Sequence, residues 1–264
     1  MPLITLTTDF GTKDYFVGIV KGVILGINPE VELVDLVHDL PPQGVLQAAF
    51  ALFNAFTYFP EGTIHLAIVD PGVGSGRDIL AVTADNHIFI APDNGLLSYV
   101  LDNVKQYDAR KVENHALFLP NVSRTFHGRD IMAPVAAHLS LGFELESVGP
   151  KAGSPMLLPD LKPAIGPDGI EGRVIYVDRF GNLITNIPNR SIHDWKMTVS
   201  AGPMEIQGLS LSYNSVQPGE CLAVEGSSGF LEIARNLRPA EDPPGLTLGT
   251  PIRIRRIRKY RQRL

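Results

Sequence analysis

The sequence predicts an α/β fold: an N-terminal, sandwich-like α/β domain with a central, mostly parallel sheet, and a smaller C-terminal β-barrel domain. Three observations predict it. β-type runs alternate with long amphipathic segments through residues 1–150, a Pro- and Gly-crowded stretch interrupts all periodicity, and short strands with turn signals follow. The expected boundaries are 1–150 for the first domain, 151–169 for a linker and 170–264 for the second.

In chain order, "LITLTTD", "VELVDLV", "TIHLAIVD" and "ILAVTAD" are rich in Ile, Val, Leu and Thr and predict strands, as does "HIFIAP" after them. Between the first three lie two helical patterns. "DYFVGIVKGVILGI" begins at Asp14, read as a helix N-cap, and "VLQAAFALFNAFTYF" follows the turn "LPPQG". "NGLLSYVLDN" and "RDIMAPVAAHLSLG" predict two more helices. In open α/β sheets ligands collect beyond the carboxyl ends of the strands, which is where Asp9 and Asp70 fall. In the second domain "GRVIYVDRFGNLITNI" holds two β runs, and "MTVSAG" and "CLAVEGSSGFLEIA" add more, with "GSSG" as a hairpin turn. The tail "IRIRRIRKYRQRL" alternates Ile with Arg and is expected to form an edge strand with a charged face.

Composition excludes some classes. With 264 residues and 44% hydrophobic content the chain can bury a large core. A formal charge of -5 offers no electrostatic reason for a nucleic-acid or anionic-membrane partner. A single cysteine, Cys221, has no intrachain disulfide partner. The start "MPLITLTTDF" lacks a basic n-region, and no apolar run is long enough to span a bilayer, so a cytoplasmic protein is expected.

"VDPGVGSGRD" raises the question of chemistry. Its glycines match neither dinucleotide nor P-loop spacing, and a strand rather than a helix follows, which argues against a phosphate cradle. Asp70 and Arg77 could form a salt bridge pinning a loop. They could also join His127, in "TFHGRDI", where a carboxylate and an imidazole orient water and a cation stabilises developing negative charge. The seven histidines show no H-x-H or H-E-x-x-H spacing, and His38 and His138 read as structural. No metal is expected, although a His-Asp site assembled in space stays open. G-x-S-x-G is absent.

Taken together, "TTDFGTKDYFVG", "VDPGVGSGRD", "APDNGLL", "TFHGRDIMAPVAAHL", "DRFGNLITNI" and "SSGFLEIARN" resemble the S-adenosyl-L-methionine hydroxide adenosyltransferases, adenosine-forming hydrolases related to fluorinase and chlorinase. The resemblance runs through nearly the whole chain. It implies a water-activating triad of Asp70, Arg77 and His127 and a ribose-binding Asp9. It places Asp14, Asp178 and Ser227 at the methionine ammonium end and Ser228 near the carboxylate. Asn182 and Arg235 fall at adenine-contacting positions, with Phe180 and Tyr213 as aromatic platforms for the base. Gln43 stands where the family has a tryptophan, and Val73 and Gly128 stand where the halogenating relatives carry hydroxyls. Asp70 stands where those relatives carry a tyrosine.

The implied reaction is attack of water on the ribose 5′ carbon of S-adenosyl-L-methionine, giving adenosine and L-methionine. His127 and Asp70 would orient the water and accept its proton while Arg77 holds the developing hydroxide. The resemblance also implies a homotrimer with sites at subunit interfaces and no cofactor. Two readings compete: a metal-assisted nucleoside or phosphate hydrolase using Asp9, Asp70 and His127 as ligands, and a non-catalytic adenosine or S-adenosylmethionine binder.

Overall fold

In the computed structural model, which describes residues 2–193, 196–240 and 245–257, the chain forms two compact units divided between Pro159 and Asp160. The first contains β1 (Leu3–Thr8), α1 (Phe16–Ile27), β2 (Glu32–Val37), α2 (Val45–Phe56), β3 (Ile64–Ile68), β4 (Ile79–Ala84), β5 (His87–Pro92), α3 (Ser98–Asn103), β6 (Tyr107–Lys111) and α4 (Ala133–Ser140). Its sheet runs β2-β1-β3-β5-β4-β6, parallel from β2 to β5 and antiparallel beyond. The central strands β1 and β3 are apolar and buried along nearly their whole length because helices cover both faces, whereas the edge strand β2 stays half exposed.

Alternation along β3 sorts the two faces. Ile64, Leu66 and Ile68 join a core with Val20 and Ile24 of α1 and Val135, Ala136 and Leu139 of α4. His65 points the other way, among Phe56, Phe59 and Phe89. There its Nδ1 lies 2.8 Å from Thr5 Oγ1 and its Nε2 lies 3.1 Å from His87 Nδ1. His38 is likewise tied into the fold, with Nδ1 2.9 Å from Thr8 Oγ1. Among the described residues no helix is long and apolar enough to cross a membrane.

The second unit contains β7 (Ala164–Ile165), β8 (Gly169–Val177), β9 (Leu183–Pro188), β10 (Met197–Ala201), β11 (Met204–Gln207), β12 (Cys221–Glu225), β13 (Phe230–Arg235) and β14 (Pro251–Arg256). Seven strands form one antiparallel path, β11-β10-β14-β8-β9-β13-β12, with β7 beside β8. A bridge between Ser210 and Val224 draws the two ends of that path together, so the sheet is a nearly closed barrel. Gly226 to Gly229 connects β12 to β13, as a hairpin turn should.

Two expectations are corrected. Asp14 does not cap α1; Tyr15 occupies the N-cap position and makes no side-chain capping bond. The Ile/Arg tail is not an edge strand: β14 pairs with β10 on one side and β8 on the other. Its isoleucines 252 and 254 point into the barrel core, so the alternation marks an interior strand with one wet face. Arg258, Lys259, Arg261 and Arg263 lie outside the described residues. The segment 151–169 is divided between the units. Ala152, Met156 and Leu158 hydrogen-bond Ala109, Asp93 and Ser98 of the first, whereas Ala164 and Ile165 pair with β8 of the second.

Burial, with His87 nearby, holds the His65 imidazole down at about 3, so the folded state keeps it neutral while the unfolded chain takes up a proton near pH 6.5. Stability from this group is complete above about pH 6.5 and lost as pH falls toward 3. Urea denaturation should therefore show stability declining between pH 6.5 and 5, above the carboxylate range. His65→Gln should remove from that slope up to about 1.4 kcal/mol per pH unit.

Candidate active site

Thr8 of β1 pairs with Ile68 of β3, so Asp9 and Asp70 leave the sheet side by side at its carboxyl edge. The chain after Asp70 turns tightly, with Val73 N–H donating to Asp70 O and Ser75 N–H to Gly72 O. At Gly74, φ is +77° and a Cβ would stand 2.3 Å from the Arg124 carbonyl oxygen. Only glycine lets the 70–77 loop lie directly against the loop leading to His127.

That apposition brings the three expected catalytic side chains together. Arg77 Nε donates to both Asp70 oxygens at 3.0 Å, and its Nη2 donates to Asp70 Oδ2 and lies 3.0 Å from His127 Nδ1. The guanidinium stands between the other two groups, and the Asp70 and Arg77 side chains are only 6% and 11% exposed. Burial and the Arg77 charge hold the His127 imidazole below its ordinary value, against the opposite pull of Asp70, Asp130 and a Ser123 backbone hydrogen bond. His127 is therefore neutral near pH 7, and since a guanidinium can only donate, Nδ1 is the acceptor.

His127 precedes a π-helical turn, Gly128–Met132, in which Ala133 N–H reaches back to Gly128 O, and α4 continues from it. The turn directs Asp130 inward. Its buried carboxylate accepts hydrogen bonds from Arg129 and from the Ser123 backbone and hydroxyl. Burial alone would raise this carboxyl, but those bonds and the Arg129 charge hold it below the usual range.

A cavity of about 450 Å³ opens over these loops. Asp9, Asp70, His127, Gln43, Val73 and Gly128 line it, together with Phe10, Phe16 and Phe126, whose rings meet at centroid distances of 5.5 to 5.7 Å. Arg77 is not in the lining. Asp9 Oδ2 accepts a 2.7 Å hydrogen bond from the Gln43 backbone, where Gln43 adopts a left-handed φ of 64°. Asp14 is exposed and outside the lining.

The remaining expected residues gather in the second unit. Asp178, Phe180, Asn182, Tyr213, Ser227 and Arg235 line one cavity of about 740 Å³. Asp178 organises the β8–β9 turn: Oδ1 accepts from the Phe180 and Asn182 backbones, and Oδ2 accepts from Asn182 Nδ2 at 2.9 Å. Gly181, at φ +80°, completes the turn and leaves the Phe180 ring 77% exposed. Arg235 Nε donates to Gly219 O. Ser228 is not in the lining, and its Oγ is buried without a hydrogen-bond partner.

Sequence reasoning missed Glu232 in this cavity. It is 6% exposed and accepts a 2.7 Å hydrogen bond from the Tyr213 hydroxyl. Burial pushes its carboxyl up and the Asp178 charge adds to this, against the Tyr213 hydrogen bond. Tyr213 in turn is pushed up to about 12 by burial and by Glu232. A lone acid inside the apolar run "FLEIA" was the available signal, since buried acids are rare. Asp130 and Ser123 were missed too, although a buried Asp within "GRDIM" carries the same signal. Among the described residues no group of three or more His, Cys, Asp or Glu side chains is placed to hold a metal ion.

The sequence model of the SAM hydroxide adenosyltransferase N-terminal domain matches residues 4–149, and that of the C-terminal domain matches residues 172–253. The (R)-S-adenosyl-L-methionine hydrolase of Thermus thermophilus is 38% identical over 259 residues, covering 94% of this chain and 97% of the relative. That of Salinispora tropica is 35% identical, covering 96% and 97%. A fluorinase of Actinopolyspora mzabensis is 26% identical over 291 residues, covering 97% of each. Among solved structures, an uncharacterized conserved protein from Thermotoga maritima superposes with a TM-score of 0.89 at 39% identity, covering 96% of this chain and all of that one.

The packing at Gly128 gives a direct test of the site's construction. A Cβ there would lie 2.8 Å from Ile68 Cγ2. Gly128→Ala should lower stability by about 1–3 kcal/mol in urea denaturation. Pairing it with Ile68→Ala should recover part of the loss in a double-mutant cycle.

Proposed function

The chain belongs to the SAM hydroxide adenosyltransferase family, and we propose that it hydrolyses S-adenosyl-L-methionine to adenosine and L-methionine through the Asp70–Arg77–His127 array. The observation that carries this reading is the Arg77 guanidinium bonded at once to Asp70 and His127 beside a cavity that also holds Asp9.

A water oxygen forms its bond to the ribose 5′ carbon as the carbon–sulfur bond breaks in line behind it. The bonding pair passes to sulfur, the sulfonium becomes a neutral thioether, and no acid is needed on the leaving side. What remains is to place the water and take its proton. Bulk water has a pKa of ~15.7, so the proton departs as the C–O bond forms. In-line placement in a closed site supplies roughly 7–11 kcal/mol of the barrier.

The roles divide by hydrogen-bond capacity. Arg77 engages His127 Nδ1, which leaves Nε2 to meet the water. Arg77 engages the Asp70 carboxylate through one hydrogen on Nε and one on Nη2, and Asp70 still lines the cavity where the water would stand. Asp70 and His127 together orient the water and accept its proton. Arg77 stands behind both and stabilises the negative charge as it develops. Asp9 takes the ribose hydroxyls, holding one with the oxygen not bonded to Gln43. Val73 and Gly128 offer no hydroxyl to a halide.

In the second unit Asp178 and Ser227 meet the methionine ammonium, and Asp14 of the first unit is the third group assigned to it. The backbone at Ser228, whose own Oγ is buried, meets the carboxylate, Asn182 and Arg235 read the adenine edge, and Phe180 and Tyr213 flank its faces. The first unit supplies the water-activating array, and the second supplies the adenine and methionine contacts. A homotrimer with sites at subunit interfaces fits this division. Two large apolar side chains at the second cavity, Phe180 and Leu237, are 77% and 81% exposed and offer surface for another copy. No cofactor enters the scheme.

Turnover in isotopically heavy water should place the label in the 5′ hydroxyl of adenosine. Asp70→Ala and His127→Ala should each cut adenosine release at least a hundredfold while ligand still binds, and a strong chelator should leave activity intact. Unlabelled adenosine, or full activity in both variants, would overturn the reading. Light scattering in solution should return three times the mass of the 28.7 kDa chain.

A further inference from the structure

We propose that Glu232 is a specificity-determining residue of the second cavity: Tyr213 holds one of its carboxylate oxygens, and the other, open to the cavity, accepts a hydrogen bond from an N–H group of the ligand. The inference rests on the reading of this cavity as the one that meets the adenine and methionine ends of S-adenosyl-L-methionine.

Strand alternation decides where this side chain goes. Leu231 and Ile233 of β13 point into the barrel core, so Glu232 and Ala234 point outward, to the side that a barrel strand ordinarily gives to water. Here that side is covered. Ala234 packs with Leu222, Val224 and Val216, and the Tyr213 hydroxyl donates to Glu232 Oε1 at 2.7 Å. Glu232 is thereby only 6% exposed, and yet it lines the cavity of about 740 Å³.

Tyr213 satisfies one oxygen and leaves the other. Among the described residues nothing donates to Glu232 Oε2, and an acceptor so placed costs stability until a donor completes it. Gly226 keeps space open beside that oxygen, since a Cβ there would stand 3.1 Å from it. Asp178, the other carboxylate of the cavity, is already engaged: its Oδ1 accepts from the Phe180 and Asn182 backbones and its Oδ2 from Asn182 Nδ2. Burial and the Asp178 charge push the Glu232 carboxyl up, a direction that an N–H donor of the ligand would reverse by favouring the ionised form. S-adenosyl-L-methionine carries two such donors, the exocyclic amino group of its base and its α-ammonium. Asn182 and Arg235 are assigned to the first and Ser227 to the second, and all three line the cavity with Glu232.

The test uses S-adenosyl-L-methionine and two analogues, one with hydrogen in place of the amino group of the base and one with hydrogen in place of the α-amino group. Binding is measured by calorimetry in the Asp70→Ala background, where the ligand is not consumed, and adenosine release in the wild type. With Glu232 present, at least one analogue should bind about tenfold or more weakly than the parent compound. Glu232→Gln keeps a carbonyl for Tyr213 and turns an NH2 group toward the cavity. It should shrink one of the two ratios about fivefold or more and leave the other within about twofold, and the ratio that shrinks identifies the donor facing Glu232. Both ratios near one with Glu232 present would overturn the proposal. So would ratios that Glu232→Gln leaves unchanged or shifts alike, a uniform loss for all three ligands being the mark of a merely structural role. Should Glu232→Gln fail to fold, Glu232→Asp, which draws the carboxylate back by one methylene, should shrink one ratio in the same way, and unchanged ratios there overturn the proposal equally. Binding of the parent compound with no adenosine release by the wild type would end the hydrolase reading and leave this one standing. A protein that binds none of the three overturns both.

Discussion

A guanidinium that must satisfy a carboxylate on one side and an imidazole on the other holds two loops of the first unit in a single arrangement. Asp70 and Arg77 share one loop and His127 comes from another 50 residues on, and both Asp70 and His127 are held by Arg77. Placing an ion pair in so dry a setting costs desolvation, which is offset only when the remaining hydrogen-bonding directions are filled. That requirement explains the surroundings. Gly74 permits the loops to touch, Gly128 lets the helix start pack onto Ile68, and Ser123 with Asp130 closes the far side.

The second unit solves a different electrostatic problem. Its cavity places Glu232 and Asp178 near each other, and burial together with their mutual repulsion lifts the Glu232 carboxyl. The cavity holds two acids, Asp178 and Glu232, and two arginines, Arg235 and Arg238, beside the rings of Phe180 and Tyr213. The two cavities therefore differ in kind: one is organised around a single internal guanidinium, the other around carboxylates and arginines together.

Much of this was legible in the sequence because it rests on local rules. Strand and helix patterns, the carboxyl-edge position of Asp9 and Asp70, and the hairpin at "GSSG" follow from periodicity and turn chemistry. What was not legible depended on contacts made across the chain. Asp14 has the chemistry of a cap, but α1 begins after Tyr15, so its carboxylate lies out of position. The Ile/Arg alternation of β14 states that one face is wet and says nothing about neighbours, and its ladder partners turn out to be two. The order of the triad, with the cation in the middle, could not be read from spacing, nor could the clasp made by Asp130.

The interior position of β14 carries a consequence for biosynthesis. β8 and β10 are separated in the finished barrel by a strand that a ribosome makes last among those described, so neither can find its final neighbour until residues 251–256 have emerged. Until then both strands present unpaired edges. The first unit needs no such delay, because every strand of its sheet precedes Pro159, and it can be complete while its companion is still a nascent chain with an open seam.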